Sequence, residues 1–281
     1  MTDAENFSIP TLFNVKGKVA VVTGGGSGIG TMFAAAYAQN GAKVYIASRK
    51  EKQLKEVSEA INRKGPGSCH YFVADLSSKA GCDYLADEIK KRESKVHILV
   101  NNSGATWGAP YDNFPEKEGW DRVLGLNIKG TYYLTVGLTE LLAKGATPDD
   151  PGRVINISSM AAVNTIALGS GLADVGNGLW SYNTSKAAVN HLTSLLASTL
   201  APRKITVNAV MPGVFPSKMT AFGYKTHGDE MDKVQPMGRT GMPKEMAGVA
   251  LFLASPASSH VTGAHIPLDG GVWVSRTKAA L

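Results

Sequence analysis

The feature that most constrains this chain is a short apolar run that stops abruptly in glycine. Residues 18–23 read KVAVVT, and Gly24-Gly25-Gly26-Ser27-Gly28-Ile29-Gly30 follows at once. An uninterrupted β-branched run suits a strand covered on both faces of a parallel sheet. The alanine-rich stretch 29–40 then reads as a helix that Gly41 closes. Glycines between a strand and a helix let backbone N–H groups approach a pyrophosphate, whose charge the helix dipole favours.

The same rhythm runs on. Strands are predicted at 43–47, 69–74, 97–101, 153–158, 205–210 and 265–268. Between them fall predicted helices at 50–64, 79–93, 120–142, 182–201 and 243–254, with Gly65-Pro66-Gly67 and the 145–152 turn as breaks. Strands alternating with helices imply βαβ units and right-handed crossovers. The expected fold is α/β: a single Rossmann-type doubly wound domain, about seven-stranded and parallel, flanked by helices. It would span 15–281 behind an N-terminal extension, 1–14. The 281 residues fit, since one α/β domain can run to roughly 250. Two segments break the rhythm, 161–181 and 213–241. Both follow strand ends, where open α/β sheets bind ligands.

Composition narrows the function. The formal charge is +6, but the basic residues are mixed with acids, as in Arg49-Lys50-Glu51-Lys52. That pattern reads as solvated helix faces rather than a nucleic-acid surface, with part of the excess available to a phosphorylated cofactor. The two cysteines, Cys69 and Cys82, form no CxxC pair, and the six histidines show no HExxH spacing, so no metal is expected. No apolar run reaches the length of a membrane span. Residues 1–14 include Asp3 and Glu5 and do not read as a signal peptide, so a cytoplasmic location is expected.

The glycine turn has the form TGxxxGxG, not GxGxxG. Together with Asn101-Asn102-Ser103-Gly104 and Tyr182-Asn183-Thr184-Ser185-Lys186, in that order, it resembles the short-chain dehydrogenase/reductase family. The segments 238–243, 252–255 and 268–271 are similar to this family too, so the resemblance covers roughly residues 15–272. Ser103 stands where the family usually has alanine. Trp107 and Pro216-Ser217-Lys218-Met219-Thr220 resemble the β-ketoacyl reductase branch, particularly its rhamnolipid-pathway type.

The end of the second strand, Ala47-Ser48-Arg49-Lys50, bears on cofactor choice. An acid there binds ribose hydroxyls, whereas a base binds a 2′-phosphate. Ser48 stands where NAD-specific members resemble one another in carrying Asp, and Arg49 offers a fork of donors, so NADPH/NADP+ is expected. The resemblance implies further cofactor contacts. Gly24, Ser27, Gly28, Ile29 and Gly30 would face the pyrophosphate, and Asp75 and Leu76 the adenine. Asn101 and Gly104 would support the ribose side, and Pro212, Gly213, Phe215 and Ser217 the carboxamide.

Tyr182 and Lys186 are four apart and share a helix face. An ammonium nearby lowers a phenol from its free value of about 10, so the phenol can exchange a proton with a carbonyl or alcohol oxygen. The resemblance implies that Ser159, or Ser158 one register step away, hydrogen-bonds that oxygen. It implies that Asn127 binds a water passing protons to Lys186, and that Lys186 also holds the nicotinamide ribose. The expected activity is NADPH-dependent reduction of a ketone (β-ketoacyl, polyketide or cyclic), or the reverse alcohol oxidation. Alternatives are a polyol or sugar dehydrogenase of the same family and a non-catalytic NADPH-binding regulator, though a sensor need not keep all four catalytic residues. The expected partners are a small carbonyl or alcohol substrate and further copies of the chain, a homotetramer or homodimer formed through the Asn127 and Tyr182 helices. Trp107, Trp180, Phe215 and 219–237 are candidate pocket walls. Ser159 and Tyr182 stand 23 positions apart, and the extra residues, 163–180, are expected to line the substrate mouth.

Overall fold

A computed structural model describes residues 6–217, 220, 232 and 235–275. Seven strands form one sheet: β1 Val19–Thr23, β2 Lys43–Ser48, β3 Ser68–Val73, β4 Ile98–Asn101, β5 Gly152–Ile157, β6 Ile205–Pro212 and β7 His265–Leu268. Their order is β3-β2-β1-β4-β5-β6-β7, and every pairing is parallel. The helices are α1 Ile9–Leu12, α2 Gly28–Gln39, α3 Glu51–Asn62, α4 Lys79–Lys90, α5 Arg122–Leu124, α6 Thr131–Ala143, α7 Trp180–Leu200 and α8 Pro243–Ala254.

The apolar runs are explained by two-sided burial. In β1, Ala20 and Val22 join a core with Phe33 and Tyr37 of α2, Leu54 of α3 and Leu253 of α8. Their neighbours Val19 and Val21 point the other way, into a core with Leu85 of α4, Leu134 and Leu138 of α6 and Leu196 of α7. Alternate residues of a strand face opposite sides, so a strand between two helical layers has no polar face. Each such side chain contributes about 1.5–3 kcal/mol by leaving water. The result is a single Rossmann-like domain of three layers.

The chain steps outward from β1 to β3 and returns to place β4 beside β1. The connections leaving β1 and β4 therefore diverge, and a crevice opens at the carboxyl ends of those two strands. At the opposite end of the sheet lies a buried charge cluster. Arg153, 1% exposed, donates from Nη1 to Asp150 at 2.7 Å and to the Pro151 carbonyl, and from Nη2 to the Ser255 carbonyl. Lys18 also bonds Asp150.

One predicted element differs in kind. The continuous helix expected over 120–142 is α6 preceded by two wide π-type turns, Glu116–Asp121 and Gly125–Gly130, on either side of α5. The second of these turns passes close to the chain after β3: a Cβ on Gly130 would lie 2.5 Å from the Leu76 carbonyl oxygen. Widened turns of this kind are frequent at functional sites, and Asn127 sits inside one. No helix among the described residues is long and apolar enough to cross a membrane.

Candidate active site

The glycine turn joins β1 to α2 at the crevice. Gly24 and Gly28 have φ of 65° and 55°, a region that side chains strain to enter. A Cβ on Gly24 would lie 2.6 Å from Asn102 Nδ2, and one on Gly28 would lie 2.9 Å from Ser217 Cβ. The turn is therefore packed against the segment after β4 on one side and the segment after β6 on the other. Two residues given no role in the sequence reading hold it there. Thr23 Oγ1 accepts from the backbone N–H groups of Asn102 and Ser103, both at 2.9 Å. Asn102 Nδ2 donates to the Thr23 carbonyl at 2.9 Å. The signal for both was their place, directly beside glycine at the ends of two adjacent strands.

Ser27, Ile29 and Gly30 lie in this turn and the first turn of α2. Ser48 and Arg49 end β2 beside it, and the Ser48 hydroxyl borders Gly26. Arg49 Nη1 lies 3.8 Å from Asp75 Oδ2, with both side chains about half exposed. Burial works against the Asp75 charge, but the Ser77 hydrogen bonds and the Arg49 and Arg122 guanidiniums together hold its carboxyl below the usual range. Leu76 turns its side chain into the core and presents only backbone.

Tyr182 and Lys186 lie on one buried face of α7, 6% and 5% exposed. Lys186 Nζ donates to the Ile157 carbonyl at the end of β5, at 2.7 Å, and lies 5.6 Å from the Tyr182 ring centre. The serine register is resolved by direction. Ser158 Oγ turns inward and donates to the Lys186 carbonyl at 3.1 Å. Ser159 caps the short Met160–Ala162 turn, its hydroxyl accepting from the Ala161 N–H at 3.1 Å, on the side of β5 that faces the Tyr182 phenol.

Within the protein chain itself, burial rather than the ammonium dominates the electrostatics of this phenol. Burial pushes Tyr182 above its ordinary value, and the Ser159 hydrogen bond offsets that only in part. Burial also lowers Lys186 to about 8. Both groups have lost water, and the ammonium is bonded to the Ile157 carbonyl rather than to the phenol oxygen.

Asn127 and Asn101 are each held by side-chain hydrogen bonds within the protein. Asn127 Oδ1 accepts from Ala105 N at 2.8 Å, while its Nδ2 donates to Ala105 O at 3.0 Å and to Ser185 Oγ at 2.9 Å. Both amide hydrogens are bonded to protein, so the side chain clamps the chain after β4. Asn101 Nδ2 donates to Thr135 Oγ1 and Asn156 Oδ1, a buried network beneath the crevice rather than its ribose side. Gly104 does border the site, since a Cβ there would lie 3.4 Å from Asn127 Oδ1 and 3.7 Å from Lys186 Nζ.

The segment after β6 starts at Pro212, with Gly213 N bonded to the Leu268 carbonyl at 3.0 Å. Phe215 is not a pocket wall: it is buried in the core, where its ring covers Gly241. Of the 219–237 candidates, residues 219, 221–231, 233 and 234 lie outside the described residues, as does 218. The 163–180 insertion forms one side of a cavity of about 250 Å³ with Trp180, Asn183 and Thr184. Those helix residues point away from the Tyr182–Lys186 face, so this cavity is not the catalytic crevice. The insertion reaches the chain after β4 through an antiparallel bridge between Gly178 and Ala109.

Comparison with known proteins extends this geometry to a family. The family model described as enoyl-(acyl carrier protein) reductase matches residues 24–273. The chain is 38% identical over 261 residues to the rhamnolipids biosynthesis 3-oxoacyl-[acyl-carrier-protein] reductase of Pseudomonas aeruginosa, covering 92% of this chain and 97% of that protein. It is 37% identical over 268 residues to an NAD-dependent glycerol dehydrogenase of Listeria innocua, covering 93% and 96%. Among solved structures, the Pseudomonas aeruginosa RhlG/NADP active-site complex superposes with a TM-score of 0.86 at 36% identity, over 93% of this chain and 98% of that one. Likeness this extensive carries both fold and enzyme class: the chain belongs to the short-chain dehydrogenase/reductase family of oxidoreductases.

Proposed function

We propose that the protein is an NADPH-dependent carbonyl reductase of the short-chain type, acting on a β-ketoacyl, polyketide or cyclic ketone with Tyr182 as general acid. The observation that carries this reading is the buried Tyr182–Lys186 pair of α7 with the half-buried Ser159 at the end of β5, beside the glycine turn. The positive φ of Gly24 and Gly28, at the turn from β1 into α2, fits a backbone that approaches a dinucleotide pyrophosphate. Gly24, Ser27, Gly28, Ile29 and Gly30 would hold its pyrophosphate, Asp75 and the Leu76 backbone its adenine, Gly104 and Lys186 its ribose, and the Pro212–Ser217 backbone its carboxamide. When bound, the nicotinamide supplies the hydride.

Tyr182, kept protonated by burial, gives its proton to the carbonyl oxygen as charge develops there. Ser159 steadies the same oxygen by a hydrogen bond. Ser48 and Arg49 support the 2′-phosphate, as does the NADP bound by the RhlG neighbour. A second reading, polyol oxidation with NAD, is favoured by the likeness to the glycerol dehydrogenase. The exposed apolar side chains of Tyr132 and Val136 on α6 and Leu195 on α7 suit a homodimer or homotetramer through those helices. We place the enzyme in the cytoplasm, with residues 15–281 as the catalytic domain.

The test is NADPH consumption over β-ketoesters, cyclic ketones, diketones, quinones and ketoses, for wild type and Tyr182→Phe. The variant is expected to lose about 10²–10⁴-fold in kcat, the usual contribution of a positioned acid, while still binding NADPH. Full turnover in Tyr182→Phe removes the proton donor. Higher efficiency with NADH, or polyol oxidation exceeding ketone reduction, selects the second reading.

A further inference from the structure

Ser185 stands between the two reactive residues of α7 and is 0% exposed. Its hydroxyl is bonded on both sides. It donates to the Tyr182 carbonyl at 2.7 Å and accepts from Asn127 Nδ2 at 2.9 Å. The hydrogen of Ser185 is committed to a carbonyl, so only an N–H can approach its remaining lone pair. That fixes which end of the Asn127 amide faces α7. The opposite end then matches Ala105, with Oδ1 on its N–H and Nδ2 on its carbonyl. A flipped amide would place oxygen against the Ala105 carbonyl and nitrogen against its N–H, losing both bonds.

The chain after β4 is thereby tied to the Tyr182 turn through two side chains. Asn127 comes from the wide turn Gly125–Gly130, and Ser185 from α7. Gly104, next to Ala105, borders Lys186 Nζ. The clamp therefore sets the distance between the Gly104–Ala105 backbone and the reactive pair.

We propose that Ser185 is a positioning residue for the reaction: its hydroxyl orients the Asn127 amide, and through it the Gly104–Ala105 backbone, against Tyr182 and Lys186. This rests on the catalytic reading of the Tyr182 face. Its effect passes through Asn127 and touches neither substrate nor hydride, so it falls on turnover rather than on cofactor binding.

The experiment compares Ser185→Ala, Asn127→Ala and the double variant with wild type, using NADPH and ethyl acetoacetate. Each sample is also checked by thermal unfolding, and Ser185→Ala is crystallised. A misplacement of about 1 Å can cost ~10²-fold, so Ser185→Ala is expected to lose roughly 10- to 100-fold in kcat with the KM for NADPH little changed. In the Asn127→Ala background the same substitution should cost almost nothing more, because the two act as one unit. The crystal should show the Asn127 amide, with the Gly104–Ala105 backbone it holds, displaced relative to Lys186. Additive losses, or a lowered melting temperature with wild-type kcat, overturn the proposal. A Gly104–Ala105 backbone unmoved relative to Lys186 in the crystal overturns it without reference to activity. Turnover surviving in Tyr182→Phe defeats the catalytic reading instead, so the two failures are told apart.

Discussion

Lys186 carries a positive charge that the fold strips of water, being 5% exposed and lowered by burial from 10.5 to about 8. At 1.36 kcal/mol per pKa unit, that shift corresponds to about 3 kcal/mol of lost stability at neutral pH. Methionine at this position fills similar space without the charge. It gives up the bond to the Ile157 carbonyl, which costs about 1–2 kcal/mol. Lys186→Met is therefore expected to stabilise the cofactor-free fold by about 1–2 kcal/mol at pH 7, while destroying turnover. The pH dependence gives the stricter test. Below about pH 8 the lysine is protonated in both folded and unfolded chains, and the penalty is complete. Between about 8 and 10.5 the unfolded chain holds more protons, so wild-type stability gains up to ~1.4 kcal/mol per pH unit relative to the variant. Near pH 10 the advantage of methionine should have vanished or reversed. Urea unfolding of both proteins at about pH 7, 8.5 and 9.5 measures this, below the range where tyrosines ionise freely. A variant clearly less stable at pH 7, or a stability difference flat across that range, refutes the reasoning.

Two further outcomes follow from the same contacts. Ser48→Asp places a carboxylate where the 2′-phosphate of NADPH is proposed to lie, and should shift the kcat/KM ratio toward NADH by roughly tenfold or more, about 1.4 kcal/mol; unchanged preference in steady-state kinetics argues against that placement. Asp150→Asn leaves Arg153 and Lys18 with no carboxylate in the cluster at the amino ends of the strands, and should cost about 2–4 kcal/mol at neutral pH by denaturant unfolding. Despite opposition from burial, Lys18 and Arg153 hold the Asp150 carboxyl below its usual range, so its contribution is present above about pH 4 and fades as pH falls through the lowered value. The gap between the two proteins should therefore narrow in acid.

The strands and helices were legible because their signals are local. A β-branched run covered on both faces needs no knowledge of its neighbours, and the predicted ends of 243–254 and 265–268 match α8 and β7. The glycine turn was legible for the same reason: positive φ and close approach act on the residue itself. The sequence alone therefore determined a strand–helix alternation, a parallel sheet and the spacing that puts Tyr182 and Lys186 on one helix face.

Only the tertiary structure decided what the polar side chains do. Ser158 and Ser159 differ by one position, yet one bonds the Lys186 backbone and the other caps the turn at Ala161. Asn127 finds partners 22 and 58 residues away, and Asn101 reaches 55 residues to Asn156. Packing also took Phe215 into the core, and an expected straight helix has widened turns that pass close to Leu76. The sign of the Tyr182 shift belongs here too, since desolvation depends on everything packed around the ring. Periodicity reports which face of an element is buried; a hydrogen bond between distant segments depends on where the whole chain has placed them.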